Sequence, residues 1–240
     1  MKTLREATVL LVLAGTAACG CTATPLPEPP AEELQFDRIH GPEVYPTTTI
    51  IEIIGDPGAG PPGHVLRVTN LDSDGPAVET TIAEDGSFQL QLSGDGGADE
   101  LRFQTRLGRE RDEPFDVDWS TLTVLPPERI PCVELEPLQQ QDFGFVRVGA
   151  APGTETIVVR NACSSDVELT AAGMRTPGSR YSIRADSVVV PTTVLPSGEE
   201  SWFIEFSPTA VGPAEQIFFI ELTVDGEPAR YPITLYGDGE

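Results

Sequence analysis

Residues 101–107 read Leu-Arg-Phe-Gln-Thr-Arg-Leu, and residues 88–92 read Phe-Gln-Leu-Gln-Leu. Apolar and polar side chains alternate in both stretches. Because successive side chains of a β-strand point to opposite faces, this period of two predicts strands with one dry face. The sequence therefore predicts an all-β protein built from short amphipathic strands.

The flanking sequence extends this pattern on both sides without a sustained helical period. Asp85-Gly86 predicts a tight turn before the strand that starts near Ser87, because Gly and Asp tolerate a positive φ. Four further strands are predicted in the first half of the chain, over residues 48–54, 64–70, 78–82 and 119–125.

The turn-rich residues 55–63, the strand at 65–70 and the turn at 83–88 resemble a bacterial immunoglobulin-like repeat. The resemblance implies a β-sandwich over residues 37–127. Modules of this kind occur in exported proteins as spacers, stalks and adhesive units.

A second strand-rich domain is predicted over residues 131–240. Pro126, Pro127 and Pro131 mark the boundary, because proline removes a donor of the strand ladder and restricts the residue before it. Beyond it, Trp202, Ile204 and Phe206 share one face of a strand, and residues 217–224 are nearly continuously apolar. These residues suffice for a sandwich core.

The second domain resembles the ASH type found in choice-of-anchor D proteins, which is related to major sperm protein and, more distantly, to periplasmic pilus chaperones. The resemblance implies an immunoglobulin-like sandwich with a structural or interactive role and no enzymatic activity. Together the two resemblances imply two immunoglobulin-like β-sandwich domains in series, after a signal peptide and a Pro-rich linker. The stretches that carry the second resemblance are residues 142–149, 156–161, 195–200, 206–212 and 233–239.

Cys132 opens the first strand of this second domain, and Cys163, where many ASH members carry Gly, closes the next. Antiparallel neighbours bring these two ends together, and export places them in an oxidising compartment. The pattern predicts a disulfide; the alternative is two separate thiols.

The N-terminus predicts export. Lys2 and Arg5 precede an apolar run at residues 7–18, which has the layout of a secretory signal and is too short to span a bilayer. Thr16-Ala17-Ala18-Cys19 resembles a lipobox, which implies acylation of Cys19, with Cys21 as a second register.

We therefore assign residues 1–18 to a lipoprotein signal peptide and residues 19–36 to a Pro/Glu-rich linker that acts as a stalk. Without Asp after either cysteine, the resemblance favours the outer membrane. A soluble exported protein cut near Ala18 is the alternative.

The chain carries a formal charge of −23, and loss of the signal, whose net charge is +1, leaves −24. Phosphate recognition draws its affinity from Lys and Arg, so this charge argues against nucleic acid as a partner. Arg102, Arg106, Arg109 and Arg111 form the one local basic concentration. Because acidic residues surround them, we interpret them as a charge-balanced hairpin rather than as a site for an acidic glycan or a negative partner.

One motif resembles a metal loop. Asn70, Asp72 and Asp74 copy the first half of a calcium-binding EF loop, but Thr81 stands where the bidentate Glu should be. We expect an Asp- and Gly-rich hairpin turn here, and no metal or cofactor.

Catalytic motifs are missing from the sequence. His40 and His64 lie beside predicted turns, and Trp119 and Trp202 are expected in the core. The sequence therefore predicts a non-enzymatic envelope lipoprotein, with envelope proteins as partners and no small-molecule substrate. A carbohydrate-binding or adhesive surface protein, a cryptic hydrolase and a chaperone-like assembly factor are the alternatives.

Overall fold

The computed structural model describes residues 33–41, 50–94 and 99–240. In this part of the chain the structure is β throughout, and the single helical element is a 3-10 turn at Phe36–Arg38. No helix among these residues is long and apolar enough to cross a membrane. The predicted signal, Cys19 and Cys21 lie outside the described residues.

The first sandwich contains nine strands in the described chain. They are β1 (Ile39–His40), β2 (Ile50–Gly55), β3 (Val65–Asn70), β4 (Val78–Thr81), β5 (Phe88–Ser93), β6 (Glu100–Leu107), β7 (Glu110–Arg111), β8 (Phe115–Asp118) and β9 (Thr123–Leu125).

These strands form two antiparallel sheets. One has the order β1-β2-β5 and the other the order β4-β3-β6-β8-β9, with β7 paired to β6. The turn predicted at Asp85-Gly86 is present: Gly86 has φ +84°, and a Cβ there would lie 2.8 Å from the backbone nitrogen of Gly58. However, it joins strands of opposite sheets rather than a hairpin.

The inward-facing apolar side chains of the alternating strands form the core between these sheets. Ile53, Leu66, Leu101, Phe103 and Val117 are fully buried. Burying each such side chain contributes roughly 1.5–3 kcal/mol.

The strand predicted at residues 119–125 is wrong in extent. Pairing with β6 ends at Asp118, whose Oδ1 accepts the backbone N–H groups of Ser120 and Thr121. This local hydrogen bonding turns the chain, and only Thr123–Leu125 returns to pair with β8. Trp119 is buried in the core, as expected.

The second sandwich also contains nine strands. They are β10 (Val133–Glu136), β11 (Gln140–Val146), β12 (Gly153–Asn161), β13 (Val167–Met174), β14 (Tyr181–Ile183), β15 (Thr192–Val194), β16 (Glu199–Phe206), β17 (Gly212–Val224) and β18 (Glu227–Gly239).

Its sheets have the orders β10-β12-β16-β14 and β11-β18-β17-β13-β15. The consecutive strands β10 and β11 lie in opposite sheets, and β11 pairs in parallel with the last strand, β18. All other pairs are antiparallel. A first strand that crosses between two Greek-key sheets is typical of an immunoglobulin-like sandwich. The fold class is thus confirmed.

The second core contains several large aromatic side chains among its aliphatic residues. Trp202, Phe206, Phe218 and Tyr231 are at most 1% exposed. Gly237 permits one close approach, because a Cβ there would lie 2.7 Å from the ring of Phe206.

The predicted disulfide is present. Cys132 and Cys163 are joined with a Cα–Cα distance of 4.8 Å, and Val133 pairs directly with Asn161 in the ladder between β10 and β12. β12 is the next strand of the same sheet but not the next along the chain, because β11 intervenes in the opposite sheet. The bridge closes a loop over a sequence separation of 31 residues.

We predict that replacing both cysteines, Cys132→Ser with Cys163→Ser, lowers the free energy of unfolding by roughly 3 kcal/mol, because the unfolded chain loses a loop constraint. Urea unfolding of both proteins with and without reductant measures this. Reductant should destabilise the natural chain and leave the double variant unchanged. An unmoved midpoint in the natural chain would contradict a stabilising bridge.

Candidate functional site: the seam between the sandwiches

The outward face of β6 is buried although it is polar. Arg102 is 3% exposed and Gln104 is 4% exposed. Both point away from the core of the first sandwich and contact the second: Gln104 donates to Oε1 of Gln140 at 2.8 Å, and Arg102 bonds Thr234. The sheet containing β6 therefore faces the sheet containing β18, and we call this contact the seam.

Arg102 is the centre of the seam. Its Nε and Nη2 donate to the two carboxylate oxygens of Asp116 at 2.7 and 2.9 Å. The same guanidinium donates to Oγ1 of Thr234 at 2.9 Å and to the carbonyl oxygens of Pro232 and Gln139 at 2.7 and 3.2 Å. A buried charge needs pairing and full hydrogen bonding, and Arg102 obtains these from both sandwiches at once.

Ion pairs extend the seam to one side of Arg102. Arg129, between the sandwiches, contacts Glu100 at 2.5 Å and Asp116 at 2.7 Å. Arg230 of β18 contacts Asp72 at 2.6 Å and Glu100 at 3.1 Å. Three arginines and three carboxylates thus form one continuous network across the contact.

On the other side, Glu215 of β17 receives two arginines of the first sandwich, Arg67 at 2.6 Å and Arg111 at 3.8 Å. The guanidinium of Arg111 also lies 4.6 Å from the ring centroid of Tyr236, and that of Arg109 lies 4.3 Å from the ring of Phe145. Cation–π contacts of this kind contribute about 0.5–1 kcal/mol at exposed sites.

The second sandwich also holds the loop between β3 and β4. Arg175, just after β13, donates to the carbonyl oxygens of Ser73 and Gly75. Burial, together with the like charge of Arg67, lowers the pKa of Arg175 against the opposing effect of Asp74. The loop carbonyls satisfy the guanidinium, so they bind the loop to the second sandwich.

The pKa values of two carboxyl groups near the seam, those of Glu100 and Glu79, are shifted in opposite directions. Burial raises the pKa of Glu100 above its ordinary value, and the nearby negative charge of Asp116 adds to this, while Arg129 and Arg230 oppose it. Burial acts on Glu79 in the same direction, but hydrogen bonds from Arg67 and Arg106 outweigh it and lower the pKa.

The interpretation of the four clustered arginines as a charge-balanced hairpin is corrected by these contacts. Arg102, Arg109 and Arg111 contact the second sandwich, and Arg106 pairs with Glu79 of β4. Arg102 is paired with Asp116 of β8, Arg106 with Glu79 and Arg111 with Glu215, so these ion pairs do not involve the acidic residues beside the cluster in sequence. A long-range contact of this kind leaves no periodic signal.

The residues of the calcium-like motif have other bonds in the structure. Asn70 donates to the carbonyl of Ser93 and to Oδ1 of Asp99, and its own Oδ1 accepts the N–H of Asp72. Asp72 accepts the N–H of Glu100 and pairs with Arg230. Asn70 and Asp72 therefore brace the hairpin and the seam rather than presenting their oxygens to a cation.

The other singled-out side chains are dispersed. Trp202 is buried in the second core, as expected. His40 and His64 are half-buried residues of the first sandwich, and Nε2 of His40 lies 3.5 Å from Oδ1 of Asp56. Within residues 33–41, 50–94 and 99–240, no three His, Cys, Asp or Glu side chains are grouped to hold a metal ion.

Sequence reasoning missed Arg67, Arg129, Arg175 and Arg230, which are scattered along the chain. One signal was available: on a strand as central as β6, both faces carry large side chains, and the polar face holds Arg102 and Gln104. A polar outer face is ordinary for a solvated sheet, so the pattern alone does not indicate a contact.

The seam leaves an open groove along one border. Its volume is about 320 Å³, and the β3–β4 loop lines one wall while β13 and β17 form the floor. We call this the seam groove. The residues that line it include Asp74, Ala171, Gly173, Phe219 and Glu221.

No known family model matches the chain, and no curated protein matches it. Solved structures with a similar chain path include the ASH/PapD-like domain 7 of human CEP192, at 14% identity and TM-score 0.37, covering 49% of this chain and 90% of that one. The Vibrio cholerae protease VesB is similar at 9% identity and TM-score 0.42, and the match covers 73% of this chain and 62% of that one. A C. elegans MSP family member is similar at 12% identity and TM-score 0.30, and the match covers 44% of this chain and 97% of that one.

The strand topology defines the class of this protein. It contains two immunoglobulin-like β-sandwiches that follow each other along the chain and pack face to face through a charged seam.

We predict that Arg102→Leu lowers the free energy of unfolding by about 3 kcal/mol, because Asp116 stays buried without its bidentate partner and keeps only the contact with Arg129. Urea unfolding and small-angle scattering measure the loss of stability and the separation of the sandwiches. The matched control is Arg160→Leu, which removes an exposed arginine paired with Glu136 and Glu199 away from the seam. Equal unfolding midpoints for the two variants would contradict a stabilising seam.

The raised pKa of Glu100 predicts how the stability of the protein depends on pH. Because its pKa is raised in the folded state, folding favours its protonated form, and its ionisation costs stability as pH rises above its ordinary value of 4.5. Glu100→Gln removes this cost, so the stability of the variant relative to the natural chain should increase from pH 4 to pH 7. Urea unfolding across that range measures the difference. A difference that is constant with pH would contradict the raised pKa.

Proposed function

We propose that this protein is a non-enzymatic lipoprotein of the bacterial cell envelope that acts as a structural or protein-interaction module. The lipobox-like sequence at Cys19 and the apolar run before it support anchoring, with the outer membrane as the location. The ASH-like residues of the second domain support an interactive rather than a catalytic role.

The observation that carries the interaction role is the edge of β5. Its residues Phe88–Ser93 contain no proline and no charged side chain, and they pair only with β2. At the far end, Asn70 caps the carbonyl of Ser93, but no described strand bonds the other edge of Phe88–Leu92. Within the described chain this edge has no partner strand, and an edge of this kind accepts an added strand from a partner.

The seam makes such edges useful for binding. Because Arg102 and the ion pairs around it join the two sandwiches, the edges are held in one arrangement, and a partner spends less free energy on ordering them. The Pro/Glu-rich linker acts as a stalk that presents this rigid module to other envelope proteins.

The anchor is tested by the intact mass of the mature N-terminal peptide from the membrane fraction of the native host. We expect an acylated peptide that starts at Cys19. An unmodified peptide in the soluble fraction would contradict the anchor. The Cys19→Ser variant should move the protein out of the membrane fraction, while Cys21→Ser should not.

The interaction role is tested by a photoreactive amino acid at Gln91 of β5, introduced into the protein in its native host. We expect an adduct with a discrete envelope protein after irradiation, because an added strand would lie beside this position. The control position is Arg160, which is exposed on β12 and paired with β10 on one side and with β16 on the other. The same adducts at both positions, or none at either, would contradict the edge as the contact surface.

A further inference from the structure

The edge of β13 changes partway along the strand. On one side β13 pairs with β17 over most of its length, but on the other side β15 pairs only with Val167–Leu169. The register shifts between Leu169 and Ala171, and beyond this bulge Ala171–Met174 form no backbone hydrogen bond on the β15 side within the described chain. The strand therefore ends in a short unpaired edge.

This unpaired edge opens into the seam groove, and the floor beside it is apolar. Phe219 points outward from the sheet, because Phe218 and Ile220 on either side of it in β17 point into the core. Gly173, which pairs with Phe219, and Ala171, two residues before Gly173, lie on the same outward face. A Cβ built on Gly173 meets no atom within 4 Å. The floor therefore has room for a side chain that the protein itself does not supply.

The rim of the groove is acidic. Asp74 and Glu221 are exposed, and neither forms a hydrogen bond or ion pair in the described chain. Asp72 is already paired with Arg230, and Arg175, the one basic lining residue, is bonded to the carbonyls of the β3–β4 loop. Within the described chain neither Asp74 nor Glu221 has an ion-pair partner, although Arg230 is the cross-strand neighbour of Glu221, and the net charge of −23 attracts basic partners.

We propose that the seam groove binds an extended, basic segment of a partner protein, which adds a strand to Ala171–Met174 and places Lys or Arg side chains beside Asp74 and Glu221. The inference rests on the proposed interaction function and names one surface and the chemistry of its partner. Backbone hydrogen bonds supply the attachment, the floor at Gly173 accepts an apolar side chain, and the rim selects positive charge.

The test uses the full chain and labelled peptides of about ten residues, measured by fluorescence anisotropy at low and moderate salt. The probe has the sequence Thr-Lys-Thr-Val-Thr-Lys-Thr-Val-Thr-Lys, which places Lys and Val on one face of a strand. A second peptide carries Glu in place of Lys. A third keeps the Lys residues but has alternate backbone amides N-methylated, which removes strand pairing and leaves the charge.

We expect binding of the first peptide only. Asp74→Asn combined with Glu221→Gln should weaken it about threefold to tenfold, the range for two exposed ion pairs. Gly173→Leu, whose Cβ would meet no atom within 4 Å, adds a side chain to the floor and should weaken binding by about tenfold or more. The matched control is Glu84→Gln with Glu227→Gln, which removes two exposed charges away from the groove and should bind as the natural chain does.

Three results would overturn the proposal: no binding of the Lys peptide, equal binding of the Glu or N-methylated peptide, or groove variants that bind like the control. Unchanged thermal midpoints would show that the variants are folded. If the Lys peptide fails while Gln91 still yields its adduct in the host, the groove proposal falls and the proposed function stands. If both fail, the proposed function falls as well.

Discussion

The ion pair between Arg102 and Asp116 is the interaction on which the arrangement of this protein depends. Both side chains are almost fully buried, and a buried charge is tolerated only when it is paired and its hydrogen bonds are complete. Asp116 supplies the opposite charge from within the first sandwich, while Thr234, Pro232 and Gln139 supply acceptors from the second. Separating the sandwiches would strip those acceptors from the guanidinium, so the pair couples the folding of one sandwich to the docking of the other.

The seam consequently differs from the two cores that it joins. The cores are apolar and close-packed, whereas the seam is built from guanidinium groups, carboxylates and aromatic rings, with Arg129 and Arg230 extending it on one side and Arg111 on the other. Charged contacts have directional geometry, so they specify one relative orientation rather than a general attraction. They also leave a groove at the border, where the floor is apolar and the rim keeps spare carboxylates. The binding surface we propose is thus a by-product of how the sandwiches dock.

Prediction from sequence succeeded where the signal is local. The alternation around Phe103 identified strand and core. The positions of Cys132 and Cys163 at predicted strand ends identified a disulfide, because antiparallel pairing of neighbouring strands brings such ends together. It failed where a local hydrogen bond competes with pairing, as at Asp118, whose side chain turns the chain inside the predicted last strand. The anchor at Cys19 stays a prediction, since it lies outside the described residues.

The amino-acid sequence by itself determined the fold class, two apolar cores and a covalent bridge, because period-two burial and cysteine placement are properties of short stretches. Only the tertiary structure decided what the arginines do. Arg102 and Arg230 are separated by more than half the chain, and both reach acidic groups of the first sandwich, through Asp116 and Glu100. The physical reason is that a polar strand face has the same sequence pattern whether it contacts water or a second sheet. Only the docking of the two sandwiches decides which of the two it contacts.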